Sequence, residues 1–286
     1  MTERDGENAL RATHLRTRRL APLAVVGALG CVLTAPAGET AAPAFRVIER
    51  LESAWARQAV AVDAAHVYAI DNRRIEKIDR RSGRRVAFWE DEAGGSIIHL
   101  NSGVVLDGVL HCAHSNYPAL PMRSSIERFD ATTLRHLGTQ RLENAPGSAT
   151  WVDRRKGHWW VAFAHYAGRG GEPGKGPEFT TLVRFDAAWR PQASFAYPPE
   201  LIERFAGRSN SGGAWGADGR LYLTGHDAAE IYVVHVPRAG SVLQLVEIVE
   251  APIEGQGIAV DSARPGVLWG VLRNRQQLVA LRRGGS

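Results

Sequence analysis

Cysteine is almost missing from this chain: Cys31 and Cys112 are the only two in 286 residues. That excludes a small scaffold stapled by disulfides and a thiolate-rich metal centre. Lysine is nearly as scarce, with Lys77, Lys156 and Lys175 alone, so the positive charge rests on arginines spread along the chain, as at Arg80-Arg81 and Arg154-Arg155. A formal charge of +5 dispersed in this way lacks the dense basic stripe with interleaved aromatics that nucleic acid requires. Long apolar runs are missing too. The longest, Leu20 to Leu33, has 14 residues and is too short to span a bilayer. Helical periodicity is also rare, and only Pro198–Phe205 reads as a short helix opening after a proline.

What remains is an ordinary globular composition, 44% hydrophobic and 23% charged, which excludes a disordered chain. Residues 1–44 read as an export segment. Arg11, Arg16, Arg18 and Arg19 precede the apolar run, and Ala35-Pro36-Ala37 and Ala42-Pro43-Ala44 offer cleavage sites. Thr17-Arg18-Arg19-Leu20 loosely resembles a twin-arginine signal, and Cys31, after Ala28-Leu29-Gly30, is a candidate lipid anchor. The expected location is the periplasm or outside the cell. Residues 45–286 are then one domain in which Cys112 has no disulfide partner, so an ordinary core must supply the stability.

That domain is repetitive. A β-prone segment, a turn carrying Asp or Gly and a second β-prone segment recur five times, with aspartates at 63, 107, 153, 218 and 261. A third alternating strand follows each pair, as in Ile75–Asp79, Ile126–Asp130 and Leu182–Asp186. The first four units add an outer strand, but the fifth ends without one. Phe45–Leu51 alternates like an outer strand and can complete the last unit from the other end of the chain. These features predict an all-β fold: a five-bladed β-propeller closed by its N-terminal strand. The 65-residue gap between Asp153 and Asp218 leaves six blades as the alternative; the Gly- and Pro-rich stretch 167–179 favours an inserted loop.

In such a ring the starts of first strands and the ends of second strands meet at one mouth. The repeats place His99, Asn101, His114, Asn116, Tyr117, His165, Tyr166, His226, Asp227, Gln256 and Arg273 there. The turn aspartates fall at the opposite end, where a structural role is expected.

Three readings fit the mouth. His99, His114, His165 and His226 could hold one divalent metal ion, zinc or similar, since neutral imidazole suits such ions. Alternatively, His114, His165 and His226 with Tyr117 or Tyr166 could move protons without metal. In that case Arg273 would take a substrate carboxylate, and Asn101, Asn116, Asp227 and Gln256 would line the pocket. The third reading is a polar ring that only binds a ligand or orders the blades. The tryptophans 151, 159, 160, 215 and 269 are expected to fill space between blades.

The repeat, with Asp218-Gly-Arg-Leu-Tyr222 at one turn, resembles bacterial propellers of the lactonase-like and NHL-like kind, and also glutamine cyclotransferase-like five-bladed propellers. The resemblance covers about residues 45–286 and implies the architecture. Lactonase-like propellers hold a metal through Glu, Asn and Asp, whereas this mouth is rich in His, so no catalytic residue carries over. The expected function is an exported enzyme acting on a small acidic or sugar-derived substrate by lyase, cycloisomerase or lactone-hydrolase chemistry. The alternative is a non-catalytic envelope module that binds a ligand or partner protein.

Overall fold

The computed structural model describes residues 44–284; the export segment and Cys31 lie outside the described residues. Twenty strands form five antiparallel four-stranded sheets. The chain opens with β1 (Phe45–Glu52). Blade one then comprises β2 (Ala59–Val62), β3 (His66–Asp71), β4 (Arg74–Asp79) and β5 (Arg85–Glu90). Blade two is β6 (Leu100–Leu106), β7 (Val109–Ser115), β8 (Ser124–Asp130) and β9 (His136–Leu142). Blade three is β10 (Ser148–Arg155), β11 (His158–Ala164), β12 (Thr181–Phe185) and β13 (Pro191–Ala196). Blade four is β14 (Gly212–Trp215), β15 (Leu221–Thr224), β16 (Glu230–His235) and β17 (Gln244–Glu250). Blade five is β18 (Ala259–Val260), β19 (Val267–Leu272), β20 (Gln277–Arg283) and, on its outer edge, β1.

The protein is therefore a five-bladed β-propeller, closed by pairing of β1 with β20 from Phe45↔Arg283 to Glu52↔Gln277. The long gap between blades three and four holds no sixth blade. It holds a loop with a 3-10 turn at Pro177–Phe179 and the short helix α1 (Pro199–Arg204). Among the described residues no helix is long and apolar enough to cross a membrane.

Period-two alternation sends successive side chains to opposite faces of a sheet, and here both faces of each sheet meet another blade. Along β2, Ala59 and Ala61 pack toward blade two with Leu100 and Leu110, while Val60 and Val62 pack toward blade five with Val271 and Leu278. Each junction between neighbouring blades carries one apolar cluster, five around the ring. The inner strand β2 is buried throughout for this reason, whereas β1 alternates between packed and solvent-facing residues. Trp151 and Trp269 are fully buried fillers of such junctions. Trp151 also donates its indole N–H to Asn210 Oδ1, tying blade three to the segment entering blade four.

The repeated aspartates are explained by their bonds. Asp63 accepts from the amides of Ala65 and His66 and from the Tyr68 hydroxyl. Asp218 accepts from the amide of Arg220 and the Tyr222 hydroxyl. Asp261 accepts from two amides, from Arg80 and Arg264, and from the indole of Trp269. Each holds its hairpin turn to the following strand. Asp153 departs from the pattern. It lies inside β10 rather than in the turn, and its oxygens accept from the amides of Arg154 (2.6 Å) and of Trp215 in the next blade (2.8 Å).

Candidate functional site

Two ends of the ring are chemically distinct. The turn face carries the hairpins at Asp63, Asp107, Lys156-Gly157, Asp218 and Asp261. The loop face carries the connections between blades and the second-to-third-strand loops, and the residues expected at the mouth fall on these segments.

Among them, His99, Tyr117 and Tyr166 form a continuous run of rings. The His99 and Tyr117 centroids are 5.0 Å apart, and those of Tyr117 and Tyr166 are 5.1 Å apart, edge to face. The loop of blade three folds onto this run. Gly170 has φ +77° and sits where a Cβ would strike the Tyr117 ring, so only glycine brings the backbone this close. Burial lowers the His99 pKa to about 4 from an ordinary 6.5, and the charges of His114 and His226 push it the same way. His99 is thus uncharged near neutral pH, and among the described residues its ring nitrogens have no hydrogen-bond partner.

His226 is held by its neighbours. Its Nδ1 lies 2.8 Å from Asp227 Oδ2, and Arg273 pairs with the other oxygen of Asp227. Its carbonyl accepts from Gln256 Nε2 at 2.8 Å. Burial lowers the His226 pKa and the Asp227 carboxylate opposes that, while Arg273 and Arg208 add to the lowering. Nδ1 is at ion-pair distance from the carboxylate without hydrogen-bond alignment, and Nε2 has no protein partner among the described residues. Gly255 (φ +62°) and Gln256 (φ +68°) bring their backbone against His226, and a Cβ on Gly255 would stand 2.5 Å from the His226 carbonyl carbon. Gly255→Ala is expected to cost about 1–3 kcal/mol and to displace the His226 ring. Urea unfolding, together with the nuclear magnetic resonance signal of His226, checks both effects.

The other predicted residues are spent on structure. The amide of Ile98 donates to His114 Nε2, so the ring proton is on Nδ1, which donates to Ser125 Oγ at 2.9 Å. Ser125 in turn donates to the buried Glu127, which also accepts from Thr139 and His136. His165 is 2% exposed and donates from Nε2 to the Pro146 carbonyl; its Nδ1 is buried without a partner among the described residues. Asn101 donates to the Ala149 carbonyl across two inner strands. Asn116 closes its own loop through Pro121 and Arg123. Arg273, expected to be open to a substrate carboxylate, is paired with Asp227.

The four histidines therefore do not act as one set. Among the described residues no three His, Cys, Asp or Glu side chains are arranged to hold a metal ion, and both nitrogens of His114 are engaged. Sequence reasoning missed Arg208. It stands in the connection into blade four, its charge reaches His226, and its side chain has no partner among the described residues. Its place just before Ser209-Asn210-Ser211, a rim segment by the repeat, was the available signal.

The sequence matches no protein-family model and no curated protein. Solved structures that resemble the fold include a luciferin-regenerating enzyme, at 10% identity and a TM-score of 0.50, covering 85% of this chain and 95% of that one. A gluconolactonase-like protein matches at 12% identity and a TM-score of 0.48, covering 85% and 93%. The Cps50 (Swd1) propeller domain of Myceliophteria thermophila matches at 10% and 0.41, covering 78% and 82%. At these identities the likeness concerns the fold alone.

Proposed function

We propose that the chain is an exported enzyme that transfers protons on a small acidic or sugar-derived substrate at the loop face, by lyase or cycloisomerase chemistry. The observation that carries this reading is the His226–Asp227 pair, 2.8 Å apart, with Nε2 of the imidazole unpartnered. A carboxylate at that distance from Nδ1 balances the imidazolium that forms when Nε2 takes a proton. The lowered pKa of His226 keeps it in the basic form near neutral pH. Tyr117, whose ring is tilted against His99, would return a proton in this reading, and Arg208 would supply a positive charge for a carboxylate. The arginine-led apolar segment at the N-terminus supports export.

The test is turnover of a panel of uronic acids, unsaturated sugar acids and sugar lactones by the full chain and by Asp227→Asn. The expected result is kcat lower by about a hundredfold with KM little changed, since only the developing imidazolium loses its partner. His226→Asn should abolish the remainder. Unchanged turnover in both variants would remove the reading. Binding of a panel member that none of the proteins turns over would favour the non-catalytic module.

A further inference from the structure

The turn face has its own cavities, and nothing in the proton-transfer reading uses them. One lies on the propeller axis, about 170 Å³, and takes wall residues from the inner strands of all five blades. Val62, Val105, Leu106, Val152, Ile258 and Val260 supply aliphatic side chains to that wall, and Asp153, Ser262 and inner-strand backbone add polar surface to it. On its loop-face side the ring is narrow, because Gly257 of blade five sits against Ser102 and Ala59, and a Cβ there would strike both.

Toward solvent the axial cavity adjoins a basal pocket of about 530 Å³, and the two share Asp153, Trp215, Val260 and Ser262. The basal pocket is walled by Phe45, Tyr222 and Leu268 and edged by Arg155 and Arg220. Donors at this junction are only partly answered. Arg155 lies over the Trp215 ring, 4.8 Å from its centroid, and donates from Nη1 to the Gly216 carbonyl at 2.9 Å, with no carboxylate at ion-pair distance among the described residues. Arg220 makes only a loose pair with Asp218, at 3.8 Å. The Trp215 indole N–H is buried without an acceptor among the described residues. Three carboxylates line the basal pocket, and each is engaged: Asp153 by the amides of Arg154 and Trp215, Asp218 by the Arg220 amide and the Tyr222 hydroxyl, and Asp261 by Arg80, Arg264 and the Trp269 indole.

We infer that the turn face holds a second binding site, for a small amphiphilic carboxylate. Its apolar body occupies the basal pocket against Phe45, Tyr222, Val260 and Leu268, and its charged end meets Arg155, Arg220 and the Trp215 indole. Burial of an aliphatic or phenyl body supplies the affinity, and the arginines select the sign of the head group. The site lies at the opposite end of the ring from His226, so binding there is independent of turnover at the loop face.

The experiment is calorimetric titration of the full chain with octanoate and 3-phenylpropionate, and with octylammonium and octanol as controls. Both carboxylates should bind, and each control should be weaker by about tenfold or more. Val260→Phe, which fills the junction, should abolish carboxylate binding. R155A/R220A should lower it to the level of octanol; Arg155 also donates to the buried Gly216 carbonyl, so R220A alone, which loses no such bond, should weaken carboxylate binding while leaving the melting temperature close to that of the parent. The inference is overturned if neither carboxylate binds, if octanol or octylammonium binds as tightly, or if Val260→Phe leaves octanoate binding unchanged.

Discussion

Removal of residues 45–52 is expected to prevent the ring from reaching its native state at room temperature. β1 pairs with β20 along its length, and Phe45, Val47 and Leu51 pack into the junctions on either side of blade five. Burying these three side chains contributes roughly 1.5–3 kcal/mol each, about 5 kcal/mol or more together. Glu49 also pairs with Arg264, which itself holds Asp261, so the loss reaches a turn in the same blade. A domain of this kind has about 5–15 kcal/mol in total. Blade five would keep only the two-residue β18, β19 and β20, with β20 as an open edge prone to pairing with other chains. Circular dichroism and light scattering of the truncated chain should show lost cooperativity and association. A synthetic peptide covering 44–53, added during refolding, should restore both. A truncated chain that melts within a few degrees of the parent would mean that closure contributes little.

Acid is expected to destabilise the fold well above the range where carboxylates titrate. His99 and His111 are both held at about 4 in the native state by burial, against an ordinary 6.5. Between those values the unfolded chain binds protons that the folded chain refuses, so stability falls as the pH drops from about 6.5 to 4. Each group accounts for on the order of 3 kcal/mol at the acid end. Asp153 acts in the opposite sense. Its pKa is raised by burial to about 6, so it takes up a proton in the folded state first and returns about 3 kcal/mol between pH 6 and 3.8. The net expectation is a loss of about 3 kcal/mol, to which His114 and His226, both lowered, add in the same direction. Urea unfolding at several pH values should give this slope, and H99Q/H111Q should flatten it. Stability that is level or rising from pH 6.5 to 4 would contradict the burial of these rings.

The architecture was legible because its cause is local. Aspartates that clamp a hairpin turn to the next strand, as at 63, 218 and 261, leave a repeat that counts blades directly. The Gly- and Pro-rich stretch 167–179 was likewise enough to read the long third gap as an insertion. The site was legible only in part, because a strand end specifies which end of the ring a residue occupies but not where its side chain turns. His99 precedes β6 and His114 lies near the end of the neighbouring β7, yet their side chains meet different partners. One ring packs against Tyr117, and the other is consumed by Ser125 and the Ile98 amide. His165 is drawn to the Pro146 carbonyl for the same reason, a backbone acceptor that no residue pattern marks. Asp153 was read as one more turn residue. A hairpin turn lying further along, at Lys156-Gly157, places it inside a strand instead.

The central claim is that His226, oriented by Asp227, and an uncharged His99 face one mouth with ring nitrogens open to a ligand. Nuclear magnetic resonance titration of the histidine ring protons, assigned by single substitutions, tests it most directly. The account predicts that His99 titrates near 4, that His226 titrates below 6.5, and that Asp227→Asn lowers His226 further by removing the charge that favours its protonated form. A His99 that titrates at 6.5 or above, or a His226 indifferent to Asp227→Asn, would contradict it.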